Sequence, residues 1–196
     1  MLSIFSSLTM GIFVTLLASN ATPWLMLPAD INALMLYQVF ASAFLLTYLR
    51  FHGASLLRQF SWKGADCKLY GIFTLALIGV YCFSVFITNE TTTTTAGVSA
   101  FITGSLVFGI IIIGPVFEEL FYRGLLFDGI AKRRGTAVAA LLSSTVFALI
   151  HFPQSLTYGF VFFIYGLIFC MLKVNYQSLL YPLLLHMFAN MVILFI

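Results

Sequence analysis

The chain has 196 residues, of which 62% are hydrophobic and only 8% are charged, and its mean hydropathy is +1.08. This composition lies far outside that of soluble globular domains and indicates an integral membrane protein. The formal net charge of +3 gives no support to nucleic-acid binding, so we expect no nucleic-acid partner.

Seven predominantly apolar stretches predict an all-α polytopic membrane protein with about seven transmembrane helices, because about 20 apolar residues cross a hydrocarbon core. The first stretch lacks the basic start of a secretory signal, so we expect it to remain as a helix. A polar turn at Lys173–Gln177 separates the last two stretches. In chain order the stretches lie near Leu2–Ala18, Ile31–Leu49, Leu69–Ile87, Ser99–Ala131, Thr136–Phe152, Leu156–Leu172 and Ser178–Ile196.

The basic residues occupy alternate connections between these helices. Apart from Arg123, all of them lie between the second and third, the fourth and fifth, or the sixth and seventh stretches. Because cytoplasmic loops carry the excess of Lys and Arg, we expect a cytoplasmic N-terminus and an external C-terminus. The expected location is the lipid bilayer of a bacterial inner (plasma) membrane.

Three charged side chains interrupt the fourth apolar stretch, namely Glu118, Glu119 and Arg123. An ionised side chain at membrane depth costs roughly 2.5–3.5 kcal/mol, so three of them close together indicate a functional site. The alternative is a structural cluster whose charges neutralise one another, since buried charges are usually paired.

The Gly114-Pro115 pair precedes these charges and predicts a kink or a new helix start, because the residue before a proline is pushed out of the α region. Glu118 would then lie in a first helical turn, where the helix dipole stabilises a charged carboxylate and suits a base. At about 100° per residue, Glu119 lies about 40° from Arg123 and can pair with it, whereas Glu118 lies about 140° away. The two glutamates are therefore expected to have different roles.

Two histidines lie within the predicted spans, and each shares a helix face with a residue four positions away: Phe147 with His151, and His186 with Asn190. Taken singly, His151 could be an interfacial residue, and His186 with Asn190 could hydrogen-bond between helices. Together with Glu118 they supply a carboxylate, two imidazoles and an amide, which can activate water and stabilise an oxyanion. In straight helices, Glu118 and His151 reach one depth and His186 lies about 8 Å shallower.

Three motifs in this order resemble those of the CAAX protease and bacteriocin-processing family, also called Abi. Glu118–Arg123 (EELFYR) matches EExxxR, Phe147–His151 (FALIH) matches FxxxH, and His186–Asn190 (HMFAN) matches HxxxN. The resemblance spans roughly Gly109 to Asn190 and includes the run Phe163–Leu167, which is similar to the family's pattern in its sixth helix. It implies a four-helix catalytic core at residues 99–196, whereas residues 1–98, with three predicted helices and a basic loop, carry no recognisable resemblance.

The resemblance implies an intramembrane endopeptidase whose substrate is a membrane-associated protein or peptide, either lipidated or carrying a leader. Glu118 and His151 would activate a water molecule, and His186 and Asn190 would stabilise the oxyanion. Glu119, Arg123 and Phe147 would support this site.

We expect no cofactor and no metal, because the resemblance implies a glutamic protease and the sequence has no HExxH motif. A zinc site built from Glu118, His151 and His186 is the alternative. A bacteriocin-immunity factor or a membrane scaffold on the same fold is the non-catalytic alternative. A transporter is less favoured, because the intramembrane charges and histidines are confined to the second half of the chain.

Overall fold

The computed structural model describes residues 39–48, 50–51, 58–62, 64, 67–88, 107–151 and 156–195. The elements in these ranges are all helices, so the predicted all-α class is confirmed for the part described. We label them in chain order as α1 (Val39–Tyr48), α2 (Cys67–Thr88), α3 (107–134), α4 (Thr136–His151), α5 (Leu156–Tyr176) and α6 (Leu180–Phe195).

One described segment, Gly159–Tyr176 in α5, is by itself long and apolar enough to cross a membrane. Shorter apolar segments occur in α1, in α4 and in α6, at Leu180–Val192. The predicted first span, near residues 2–18, lies outside the described residues. The count of seven spans, like the division of the chain at residue 98, therefore stays a prediction.

Helix α3 is built from alternating α-helical and π-helical segments. The π-helical segments are Gly109–Ile113 and Glu119–Phe127, and the α-helical segments are Gly114–Glu118 and Asp128–Arg134. In a π-helix each N–H bonds to the carbonyl five residues earlier, and such segments are rare and frequent at functional sites. Glu118 and Glu119 thus lie on either side of a junction between the two helix types, and Arg123 follows in the second π-helical segment.

A full interruption of the helix at Gly114-Pro115 is wrong, because the helix continues through both residues, but the predicted new start is seen as an α-helical segment that follows the π-helical one and has Pro115 at its first or second position. Gly114 keeps helical angles of φ −57° and ψ −59°, since a residue without Cβ avoids much of the clash with the following proline ring. Glu118 is consequently the last residue of a segment inside a continuous helix, and no acidic residue lies in the first turn of that segment. The expected stabilisation of Glu118 by a helix N-terminus is therefore also wrong.

The turn between α3 and α4 lies where the basic residues predict it. Gly135 has a φ of 84°, which glycine adopts without strain, and its N–H donates to Ala131 O over 3.0 Å. Lys132, Arg133 and Arg134 occupy the last turn of α3, where cations complement the negative end of the helix dipole.

The turn between α5 and α6 is shorter than predicted, because α5 continues to Tyr176. Lys173 forms an ion pair with Asp128 of α3 and lies 4.3 Å from the centre of the Phe127 ring. These contacts fasten the last turns of α5 to the end of α3. The chain reverses at Gln177, which has a φ of 47°, before α6 begins at Leu180.

A segment at residues 58–62 fixes this turn from the other side. Gln59 O accepts a hydrogen bond from Leu179 N–H over 2.7 Å, and Ser61 O accepts one from Ser178 Oγ over 2.8 Å. The Trp62 ring packs on Tyr181 with 5.6 Å between ring centres. The start of α6 is thus held at a defined position.

The core surrounds the charged residues of α3 with apolar side chains. Its buried members come from α1, α3, α4, α5 and α6 and include Leu45, Phe117, Leu120, Phe147, Phe169 and Leu185. The polar groups of α3 and α6 are therefore enclosed in a medium of low dielectric, where each requires a specific partner.

Candidate active site

Glu118 and Glu119 are both buried, with exposed fractions of 8% and 0%. Glu118 ends the α-helical segment of α3 and Glu119 begins the second π-helical segment. Two adjacent carboxylates in an apolar core are stable only if other elements supply donors or positive charge. The structure assigns those partners to α3, α5 and α6.

Glu119 forms the predicted ion pair with Arg123. Arg123 Nη1 lies 3.1 Å from Glu119 Oε1, and both side chains are fully buried. Arg123 Nη2 also donates to Gly166 O in α5 over 3.4 Å. Within the described part of the chain, Glu119 Oε2 and Arg123 Nε have no hydrogen-bond partner. The pair joins α3 to α5 in the middle of the core.

Arg123 is also enclosed by aromatic rings. Its guanidinium carbon lies 4.5 Å from the centre of the Phe147 ring and 5.0 Å from that of Phe169. Such cation–π contacts are strongest where the cation is desolvated, as it is here. The rings therefore stabilise the positive charge that balances Glu119.

His186 faces both glutamates, which the sequence analysis did not anticipate. Its Nδ1 lies 2.8 Å from Glu119 Oε1, and its Nε2 lies 3.6 Å from Glu118 Oε2. An ionised Glu119 has no hydrogen to give, so His186 Nδ1–H is the donor in this bond. Nε2 is then the ring atom that faces Glu118. The glutamates differ in their contacts, as expected, but they share one imidazole.

Two phenylalanines fix the plane of the His186 ring. Phe169 stacks on it with 4.9 Å between centres and an interplanar angle of 20°, and Phe147 meets it edge to face at 5.9 Å and 87°. Phe147, which the FxxxH motif singled out, thus contacts both Arg123 and His186. The imidazole is oriented by rings from α4 and α5 as well as by carboxylates from α3.

His186 reaches both glutamates despite the depth difference of about 8 Å expected for ideal straight helices, a gap that helix tilt or the Gly114-Pro115 region was expected to absorb. A π-helix places more residues in each turn than an α-helix, so the path along α3 from Arg134 to Glu118 is shorter than a straight α-helix would give. The short turn before α6 also changes the number of helical residues between that turn and His186. The expected offset applies to ideal straight α-helices, and α3 is partly π-helical.

Asn190 lies one turn beyond His186 on α6, and its Nδ2 donates to Ile110 O over 2.9 Å. This residue therefore contacts the first π-helical segment of α3. His151 is the last residue of α4, and its side chain lies outside the described part. The predicted pairing of His151 with Glu118 stays a prediction.

Sequence analysis missed Phe169, and it did not assign a contact to Gly166. A Cβ placed on Gly166 would lie 2.8 Å from Ser144 Cβ, so only glycine allows α5 to approach α4 this closely. Gly166 belongs to the Phe163–Leu167 run that carries part of the family resemblance, and that run is the signal that pointed to it. Phe169 lies in continuous apolar sequence, where nothing distinguishes it from a lipid-facing residue.

Within the described residues, no group of three or more His, Cys, Asp or Glu side chains is arranged to hold a metal ion. Of the residues proposed for a zinc site, Glu118 and His186 face each other, whereas the side chain of His151 is not among those described. The choice between a zinc site and a metal-free site depends on that third residue.

The chain matches one family model, described as Type II CAAX prenyl endopeptidase Rce1-like, over residues 73–192. The match covers more than half of the chain. The members of this family are membrane-embedded proteases. The protein therefore belongs to the Rce1-like family of type II CAAX prenyl endopeptidases. No curated protein matches the chain, and no solved structure matches it either.

Proposed function

We propose that the protein is an intramembrane endopeptidase that hydrolyses a peptide bond in a membrane-associated or lipidated protein or peptide. The observation that carries this proposal is the position of His186 between the carboxylates of Glu118 and Glu119, in an otherwise apolar core. Such a site gives charged groups fixed partners before a substrate arrives, which is the basis of electrostatic stabilisation in catalysis. Family membership supports the same reaction class.

In the proposed reaction, Glu118 is the base. It accepts a proton from water while the water oxygen attacks the carbonyl carbon of the scissile bond, with His151 orienting or assisting that water. The carbonyl π electrons move to the oxygen and give a tetrahedral oxyanion. When the C–N bond breaks, the proton held by Glu118 passes to the leaving nitrogen, and a carboxylic acid and an amine are released.

The oxyanion is assigned to His186 and Asn190. His186 Nδ1–H is used by Glu119, so donation to an oxyanion through Nε2 requires a ring that carries hydrogens on both nitrogens. The carboxylates of Glu118 and Glu119 lie 3.6 and 2.8 Å from the ring nitrogens and would supply the counter-charge that such a ring needs. The Asn190 amide has two hydrogens, and Ile110 O accepts only one of them.

Glu119, Arg123 and Phe147 support this arrangement without touching the substrate in the proposed mechanism. Glu119 orients the His186 ring through its Nδ1–H, Arg123 balances the charge of Glu119, and Phe147 contacts both Arg123 and His186. A carboxylate that fixes an imidazole in this way is a recurring device in hydrolases. No cofactor is part of the proposed reaction.

The test uses the full-length chain purified in detergent and two synthetic peptides. One peptide ends in an S-farnesylated Cys-aliphatic-aliphatic-X sequence, and the other has the same sequence without the lipid. We expect cleavage, and Glu118→Gln should reduce it at least about 10²-fold while leaving the protein folded, because an amide cannot accept the proton. Asp128→Asn is the control, since Asp128 pairs with Lys173 away from the site.

Full activity in a folded Glu118→Gln variant would contradict the role of Glu118. Cleavage of neither peptide by the wild-type chain would favour a leader peptide as substrate, or the non-catalytic immunity or scaffold alternative. Peptide profiles of membranes that contain the wild-type chain or Glu118→Gln separate these two outcomes, because only a protease produces new fragments.

The zinc alternative has its own test. A metal-free enzyme should cleave with substoichiometric zinc in elemental analysis and should keep its activity in the presence of a chelator. Stoichiometric zinc, with activity lost on chelation and restored by zinc alone, would instead assign Glu118, His151 and His186 as ligands.

A further inference from the structure

The hydrogen bond between Asn190 and Ile110 O connects two features that the sequence makes conspicuous, the HxxxN motif of α6 and the Gly114-Pro115 pair of α3. Asn190 Nδ2 lies 2.9 Å from Ile110 O. The bond links the first π-helical segment of α3 to a side chain of another helix. The bond forms because the backbone of α3 offers no donor to Ile110 O, as follows from the residues at positions 114 and 115.

Ile110 O lacks both of the donors that a helix normally offers. In an α-helix its partner would be the N–H of residue 114, and in a π-helix it would be that of residue 115. Gly114 N–H is donated to Gly109 O, and Pro115 has no N–H. The π-helical segment therefore ends where the proline begins, and it leaves one carbonyl for a donor from outside the helix.

An unsatisfied carbonyl is unfavourable in a hydrocarbon medium, where water is absent and backbone groups must find partners within the protein. Asn190 supplies the N–H that Pro115 removes. Because Asn190 follows His186 by one helical turn, the bond fixes both the rotation of α6 and its translation along α3 next to the imidazole. The contacts of His186 with Glu118 and Glu119 are made over 3.6 and 2.8 Å, so small shifts of α6 would break them.

We propose that Asn190 is a positioning residue: its amide binds the Ile110 carbonyl that Pro115 leaves without a donor, and so holds His186 opposite Glu118 and Glu119. The catalytic part of this inference rests on the proposed function, whereas the anchoring of α6 does not. The second amide hydrogen of Asn190 stays available for the oxyanion, so anchoring and oxyanion binding are compatible.

The test is a double-mutant cycle with the wild-type chain, Pro115→Ala, Asn190→Ala and the double variant. Alanine at position 115 restores an N–H that can bind Ile110 O. Asn190→Ala should lower the detergent melting temperature by roughly 2–10 °C in the wild-type background and by clearly less in the Pro115→Ala background. Because Asn190 is also assigned to the oxyanion, the same change should lower kcat on the cleaved peptide in both backgrounds, by roughly 10³-fold with Pro115 present and by at least about tenfold less in the Pro115→Ala background.

Pro182→Ala is the matched control. Pro182 is also a buried proline, but it lies in α6 and does not deprive Ile110 O of a donor. In the Pro182→Ala, Asn190→Ala double variant, the loss of melting temperature should equal the sum of the two single losses to within about 2 °C. If Asn190→Ala does not fold, Asn190→Leu removes the amide donor while retaining side-chain volume.

Equal losses of melting temperature in both backgrounds would overturn the anchoring role. A second outcome is that Pro115→Ala reduces the effect of Asn190→Ala on melting temperature but not its effect on kcat. That outcome would overturn the positioning of His186 through this bond. Failure of the proposed function looks different, since the wild-type chain then cleaves no peptide while the melting-temperature cycle still decides whether Asn190 anchors α6.

Discussion

Glu119 is the residue on which the site's charges converge. Its Oε1 accepts hydrogen bonds from Arg123 over 3.1 Å and from His186 over 2.8 Å, and the side chain is fully buried. An acceptor shared by two donors on different helices couples the stability of the core to the orientation of the imidazole. Loss of its charge should therefore affect folding and catalysis together.

We expect Glu119→Gln to lower stability by about 3–5 kcal/mol, because it leaves Arg123 as an uncompensated buried charge. Detergent melting temperature and expression level measure this loss. Asp128→Asn, the matched control, also removes one partner of an ion pair, but the Lys173 amine that it leaves can lose its proton, whereas the Arg123 guanidinium cannot. A Glu119→Gln variant as stable as Asp128→Asn, or a Glu118→Gln variant less stable than Glu119→Gln, would reverse the roles of the two glutamates.

At the scale of helices, the contact between α4 and α5 determines where Arg123 finds its second partner. Gly166 packs against Ser144, and Gly166 O accepts from Arg123 Nη2 over 3.4 Å. Ser143 of α4 in turn donates from Oγ to Tyr122 O in the second π-helical segment of α3 over 3.1 Å. The three helices are thus joined around the site by small residues and backbone carbonyls.

Gly166→Ala should destabilise the protein by about 1–3 kcal/mol and reduce cleavage, because the added methyl group would lie 2.8 Å from Ser144 Cβ and force α5 away from α4. Gly79→Ala in α2 is the matched control, since its added methyl group meets nothing within 4 Å. That control should be neutral or slightly stabilising. Equal melting temperatures for both variants would show that α4 and α5 tolerate wider spacing.

For the whole molecule, the positions of charged and apolar surface residues lead to a prediction of its orientation in the bilayer. Lys132, Arg133 and Arg134 are exposed at the end of α3, while large apolar side chains such as Leu141 and Leu149 are exposed along α4. Exposed apolar residues on a helix of a membrane-embedded protein are suited to contact with lipid. The basic end is suited to the cytoplasmic surface.

We expect Arg133→Cys to react with a membrane-impermeant maleimide only after cells are permeabilised. The background should lack Cys67 and Cys82, which are exposed, whereas Cys170 is buried. Leu156→Cys is the opposing control, because Leu156 is 76% exposed at the other end of the α4–α5 hairpin and should react in intact cells. Labelling of Arg133→Cys in intact cells would invert the topology.

Sequence alone determined the helical class, the Glu119–Arg123 pair and the turn at Gly135. These features depend on properties that are local in the chain: apolar composition, a spacing of four residues on one helix, and basic residues followed by glycine. The order of the EExxxR, FxxxH and HxxxN motifs also predicted the family, which the match over residues 73–192 confirms.

Tertiary structure decided how these pieces meet. Local rules treat Gly114-Pro115 as a break, yet the helix passes there from a π-helical into an α-helical segment, and Asn190 of α6 is the donor for Ile110 O. In the folded chain Glu118 faces His186. Phe169, whose ring orients the imidazole, lies in continuous apolar sequence that does not distinguish it. A hydrogen bond or ring contact between distant helices leaves no periodic signal in a chain that is apolar almost throughout, so only the folded arrangement reveals it.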